Sequence, residues 1–102
     1  MIDEIRKKFI NTQYEYSKHA VDQSIIRHIS TAEILEAVLV KSEIIEDYPD
    51  DKYGSSCLIL GFTNNDRPLH IHVGYPSKVV LKVITVYQPD ESKWMAYRIR
   101  RK

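Results

Sequence analysis

Leu69-His70-Ile71-His72-Val73 alternates apolar side chains with histidines at the period of a β-strand. One face of such a strand carries Leu69, Ile71 and Val73, and the other carries His70 and His72. Two imidazoles would then stand about 7 Å apart on the same side of a sheet. Imidazole exchanges protons near neutral pH, so this strand suggests proton transfer or metal binding.

Outward from that strand the same period continues. Residues 56–63 read as a strand apolar on both faces and therefore central, and residues 79–87 as the strand after the histidines. Ile44-Ile45-Glu46-Asp47-Tyr48 reads as the first strand of the set. Turn chemistry separates the strands at Pro49-Asp50-Asp51-Lys52-Tyr53-Gly54, at Asn64-Asn65-Asp66-Arg67-Pro68 and at Pro76-Ser77. Short connections favour an antiparallel meander. Pairing Tyr75 with Val79 sets His72 opposite Lys82 and His70 opposite Ile84, with Val79, Leu81 and Val83 on the core face. A shift of one residue turns Lys82 inward, where an unpaired ammonium is costly. The first register gathers His70, His72 and Lys82 on one face; a four-residue loop gives the second. Residues 94–99 read as a last edge segment, with Trp94 capping the core.

Upstream of Glu43 the period is helical. Residues 3–11 form a short helix with Ile5 and Phe9 on one side. Ser17 caps a helix reaching about His28, with Val21, Ile25 and Ile29 on one face, His28 near it, and His19 and Arg27 exposed together. Ser30-Thr31-Ala32-Glu33 fits a capping box for a helix over about 31–42 that buries Ile34, Leu35, Val38 and Leu39. Tyr14-Glu15-Tyr16 reads as a short strand or extended lead-in. The expected class is α+β: N-terminal helices packed on one face of a four-stranded antiparallel sheet.

The 102 residues suit a single domain that buries roughly 65% of its unfolded surface. The chain is 43% hydrophobic and 28% charged, an ordinary globular balance. No apolar run approaches the roughly 20 residues that cross a membrane, and the charged N-terminus lacks a signal-type apolar stretch, so a cytoplasmic protein is expected. The single cysteine, Cys57, sits in the apolar run Cys57-Leu58-Ile59-Leu60 and reads as a buried structural thiol. Fifteen Lys and Arg against fourteen Asp and Glu give a net charge of +1, so any basic patch is local. Arg98, Arg100, Arg101 and Lys102 supply one, as a basic tail over 98–102.

Four pieces stand in order: Ser17-Lys18-His19-Ala20, Arg27-His28-Ile29-Ser30, Pro68-Leu69-His70-Ile71-His72-Val73 and Val83-Ile84-Thr85-Val86-Tyr87. This order resembles domain-of-unknown-function family 4258, with its S-x-H-A start, R-x-I-S corner, P-L-H-V-type strand and closing I-T-V-Y strand, over about residues 14–88. That family is similar to the BrnT-like and RelE/ParE-like toxins, several of which cleave mRNA without metal and are blocked by a partner antitoxin. The matching positions are His19, Arg27, His70, Thr85 and Tyr87, whereas His72 is this chain's own. The family's basic residue in the middle of the first motif helix is replaced here by Gln23 or Ser24.

Two functions of different class follow. The first, implied by the resemblance, is a metal-independent endoribonuclease needing no cofactor and paired with an antitoxin. His19, His70 and His72 are its candidate acid and base. Arg27 and Lys82 would meet the phosphate of an RNA, and Tyr87 would position it or stack on a base. The second is a non-catalytic module that binds a protein through the sheet edge or basic tail, with Tyr14, Tyr16, Tyr48, Tyr53, Tyr75 and Trp94 as anchors. A metal held by His70 and His72 needs further ligands, for which His19 or Asp22 are the candidates.

Overall fold

The computed structural model describes residues 1–52 and 54–102; the turn and anchor readings of Tyr53 lie outside them. Helix α1 (Ile2–Ile10) buries Ile5 and Phe9, the pair that its spacing places on one face. Strand β1 (Tyr14–Tyr16) follows. Helix α2 (Lys18–Ile26) starts at Ser17, whose side chain accepts from the Ala20 N–H at 3.0 Å and donates to the Ile84 carbonyl at 2.8 Å. One hydroxyl therefore both caps the helix and fastens it to the sheet. Helix α3 (Thr31–Leu39) has the full capping box of Ser30 and Glu33.

The sheet consists of β1 and four longer strands, β2 (Ser42–Tyr48), β3 (Ser56–Phe62), β4 (Pro68–Gly74) and β5 (Leu81–Tyr87), in the order β1-β5-β4-β3-β2. The meander from β2 to β5 is antiparallel. The expected four-stranded antiparallel sheet is corrected to a five-stranded mixed one, because β1 pairs parallel to β5 with Tyr14 opposite Leu81 and Tyr16 opposite Val83. The β5 edge would otherwise leave backbone groups unpaired. Leu81 N–H donates to the Gln13 carbonyl and Ser17 N–H to the Val83 carbonyl, both at 2.9 Å.

The helices cover one face of this sheet. Ile5, Phe9, Ile34 and Val38 meet Ile59, Leu69, Ile71, Val73, Leu81, Val83 and Val86 in the buried core. Cys57 belongs to the same core, and burial pushes its thiol up to about 11, which keeps it protonated. Helix α3 lies so close to β3 that a Cβ on Gly61 would come within 2.1 Å of the Ala37 carbonyl oxygen. Helix α2 departs from expectation. Its inward residue is Ala20, while Ile25 and Ile26 are 68% and 67% exposed. A small residue lets the helix press on β5, which turns the isoleucines outward.

Two details move β5 from its expected register. The connection over residues 75–80 is longer than expected, and a bulge interrupts the ladder between Val73–Val83 and His72–Thr85. Each extra residue slides the partner strand. His72 lies opposite Thr85 and His70 opposite Tyr87, while Lys82 sits beside Gly74 and Val79 is 77% exposed.

The other face of the sheet carries a second small sheet, β6 (Trp94–Met95) paired antiparallel to β7 (Ile99–Arg100). Ala96 and Tyr97 both have positive φ, 52° and 62°, and Arg98 N–H bonds the Met95 carbonyl at 3.0 Å. Met95 pairs with Ile99, so the hairpin closes through a three-residue loop, Ala96 to Arg98, with its first two residues left-handed. The expected tail over 98–102 is thus partly folded, with Arg98 paired to Glu43 and Arg100 to Glu46 on β2.

Candidate functional site

Alternation on β4 sends Leu69, Ile71 and Val73 under the helices and His70 and His72 to the opposite face, as the sequence predicts. The two histidines then meet different surroundings. His70 is fully buried beneath the hairpin. Its Nε2 lies 2.6 Å from the Tyr97 carbonyl oxygen and its Nδ1 3.1 Å from the Tyr87 hydroxyl. The Trp94 ring packs edge-on at 4.4 Å between centroids. Burial drives the His70 pKa below the ordinary 6.5, against the opposing pull of the Tyr97 carbonyl and Glu46. His70 is therefore neutral with both nitrogens occupied.

His72 is only half-buried. Its Nε2 lies 2.9 Å from the Ser56 hydroxyl, and its ring meets Tyr48 edge-to-face at 5.7 Å. Burial lowers its pKa as well, chiefly by desolvation. His72 lines a cleft of about 280 Å³ with Tyr48, Asp51, Leu58, Thr85, Tyr87 and Arg100. With an Nε2–H donating to Ser56, the Nδ1 lone pair remains for a ligand. A neutral imidazole on an accessible cleft wall has the properties of a general base.

Tyr87 and Arg100 also line an adjoining cleft of about 380 Å³ with Arg27, Asp90 and Lys93. Arg27 ends helix α2 and stands 5.9 Å above the Tyr87 ring, held by a 2.8 Å bond from its Nε to Gln23. Arg100 stacks on Trp94 at 4.6 Å and reaches both carboxylate oxygens of Glu46. Burial pushes the Glu46 carboxyl up, but Arg100 and Tyr48, which both bond it, bring it to a net value below normal, so it is ionised. Together the clefts form one groove along the end of β5, with an imidazole, two phenols and two guanidiniums on its walls.

His72, Tyr87 and Arg27 thus gather around this groove, with His70 beneath it. His19 and Lys82 line neither cleft. His19 is exposed on the first turn of α2, and Lys82 forms a 2.7 Å ion pair with Glu15. No three His, Cys, Asp or Glu side chains cluster in a metal-binding arrangement among the described residues.

Sequence reading missed Arg67. Its guanidinium bonds Glu33 at 3.0 Å, Gln88 at 2.8 Å, and the carbonyls of Arg27 and His28 at 3.1 and 2.9 Å. It ties the α2–α3 corner to one end of the histidine-bearing ladder, where β4 begins and β5 finishes, and so holds Arg27 over Tyr87. Its place in the turn before Pro68 is legible, but its partners lie up to 40 residues away. Arg100 was likewise missed as a site residue, because only the hairpin brings it to the groove, where Glu46 of β2 holds it.

These features define a class: an α+β domain whose mixed sheet is helix-covered on one side and carries an open, histidine-bearing groove on the other. The chain belongs to the domain-of-unknown-function family DUF4258, whose sequence profile matches residues 16–88. No curated protein and no solved structure matches it. The matched segment takes in both helices of the corner and the whole meander, and the hairpin lies beyond it. No helix is long and apolar enough to cross a membrane among the described residues.

Proposed function

We propose that this protein is a metal-independent endoribonuclease of the toxin type, with the groove along β5 as its active site. The observation that carries this reading is the convergence of a neutral, accessible imidazole (His72) with Tyr87, Arg27 and Arg100. Cleavage of this kind needs a base for the 2′-hydroxyl proton, positive charge on the phosphorane oxygens and a proton for the leaving 5′-oxygen. His72 Nδ1 takes the proton as the 2′-oxygen attacks phosphorus. Arg27 and Arg100 face the developing charge. Water in the half-open cleft protonates the departing 5′-oxygen. Of the other candidates, His70 acts through Tyr87, while His19 and Lys82 stand off the groove and take no part in this step. The expected RNA substrate and blocking antitoxin belong to this proposal, as does a cytoplasmic setting.

A positioned general acid typically contributes 10²–10⁴-fold to rate, so reliance on water implies slow turnover. The test is purified protein with single-stranded RNA in EDTA. Wild type should cleave, and His72→Ala should be slower by about 10²-fold or more. Equal rates for the two would reject His72 as the base.

A second reading, a non-catalytic module that binds a protein partner, is favoured by the outward Ile25 and Ile26 of α2. Failure of the wild type to cleave RNA, with retained binding of a protein partner that Ile25→Asp abolishes, would favour it.

A further inference from the structure

The hydrogen bonds around His70 fix where the protons point, and that fixes what Tyr87 can recognise. A backbone carbonyl only accepts, so the 2.6 Å contact with Tyr97 requires an Nε2–H on His70. A neutral ring with its proton on Nε2 leaves a lone pair on Nδ1. The Tyr87 hydroxyl, 3.1 Å from that nitrogen, must therefore donate its only proton to it. A phenol whose hydrogen is committed keeps only acceptor capacity. Tyr87 lines both clefts of the groove, beside His72 in one and Arg27 in the other.

We propose that Tyr87 is a specificity residue that accepts a hydrogen bond from the ligand, and that the donor is the 2′-hydroxyl of a ribose next to the reacting one, whose own 2′-proton goes to His72. An acceptor beside two guanidiniums suits neither phosphate nor carboxylate oxygens, which are themselves acceptors. Within a nucleic acid the 2′-hydroxyl is the donor that separates RNA from DNA. His70 is the positioning residue that aims the phenol, and the Tyr97 carbonyl on the hairpin fixes the His70 tautomer. The segment beyond the family match thereby becomes part of the site. The identity of the ligand rests on the ribonuclease reading, but the orientation of the phenol does not.

The experiment measures binding in the cleavage-blocked His72→Ala protein. Its ligands are a fluorescein-labelled single-stranded RNA, the deoxyuridine-containing DNA of the same base sequence, and the 2′-fluoro analogue, which can accept but not donate. RNA should bind about five-fold tighter than either, the worth of one neutral hydrogen bond. Adding Tyr87→Phe, which keeps the ring and removes only the hydroxyl, should bring the RNA-to-DNA ratio to about one and leave DNA affinity unchanged. Adding His70→Phe instead should lower the ratio while sparing DNA affinity, because it frees the phenol to rotate. A ratio that survives Tyr87→Phe, a 2′-fluoro strand that binds as tightly as RNA, or no RNA binding at all would overturn the proposal. Cleavage by wild type with a ratio of one would sink this inference and leave the ribonuclease reading standing. The converse result would do the reverse.

Discussion

His70 and His72 are two residues apart on one strand, yet they do different work. The hairpin encloses one and leaves the other on a cleft wall. Burial lowers the pKa of both below 6.5, which has a consequence for stability. The unfolded chain takes up protons on these rings as pH falls through 6.5, while the folded protein resists. The unfolded state then binds more protons, so stability drops with decreasing pH from about 6.5 down to the folded values. Urea unfolding should show a lower midpoint at pH 5.5 than at pH 7.5. His70→Gln should be less stable than wild type at pH 7.5 and lose less between those two values. A wild-type midpoint that stays level or rises on acidification would contradict the neutral, buried ring. The alternation that put both histidines on the face away from the helices was legible in five residues of sequence. Their division of labour was not, because nothing local to β4 announces what lies over it.

At the scale of elements, the helix starts were the most legible features, because capping is short-range. Ser17 and the Ser30–Glu33 box each satisfy backbone donors within four residues of the cap. The corner between them is tighter than a glycine-free sequence advertises. His28 sits at φ 54°, with Ile29 N–H bonded to the Ser24 carbonyl at 2.8 Å and His28 N–H to the Ile25 carbonyl at 3.2 Å. These are the paired bonds of a Schellman ending, usually made with glycine. The hairpin was illegible for a similar reason. Its turn uses Ala96 and Tyr97 in the left-handed region, where Asn-Gly would have given the signal. The register of β5 turned on a six-residue connection and one bulge, neither of which has a composition that reveals its length. Close packing of α3 on β3 carries a sharper prediction. Gly61→Ala places a methyl 2.1 Å from the Ala37 oxygen and 2.6 Å from its carbonyl carbon, and backbone must move. The cost should be about 3 kcal/mol, read from urea midpoints. Gly74→Ala, whose added methyl meets nothing closer than 3.9 Å, is the control and should change little. Equal stability of the two variants would mean that the helix does not rest on Gly61.

Over the whole molecule, the layers assign labour to the two sides of the sheet. Helices supply the apolar cover that makes the fold stable, and the opposite face remains available for polar groups. Arg67 links the two sides, since it fastens the α2–α3 corner to the strands and so fixes where Arg27 stands relative to Tyr87. The class was legible because its strongest signals, helical then alternating periodicity, occupy long stretches of chain. The fifth strand is only three residues long and its parallel partner is 67 positions away, beyond the reach of any local pattern. The net charge of +1 conceals a groove with arginines on its walls, because charge counts carry no positions. Attack by the 2′-oxygen under a histidine base leaves a distinctive chemical trace. Mass spectrometry of RNA fragments produced by the purified protein in EDTA should find 2′,3′-cyclic phosphate or 3′-phosphate ends with 5′-hydroxyl partners. Fragments ending in 3′-hydroxyl and 5′-phosphate, or intact RNA, would contradict the account.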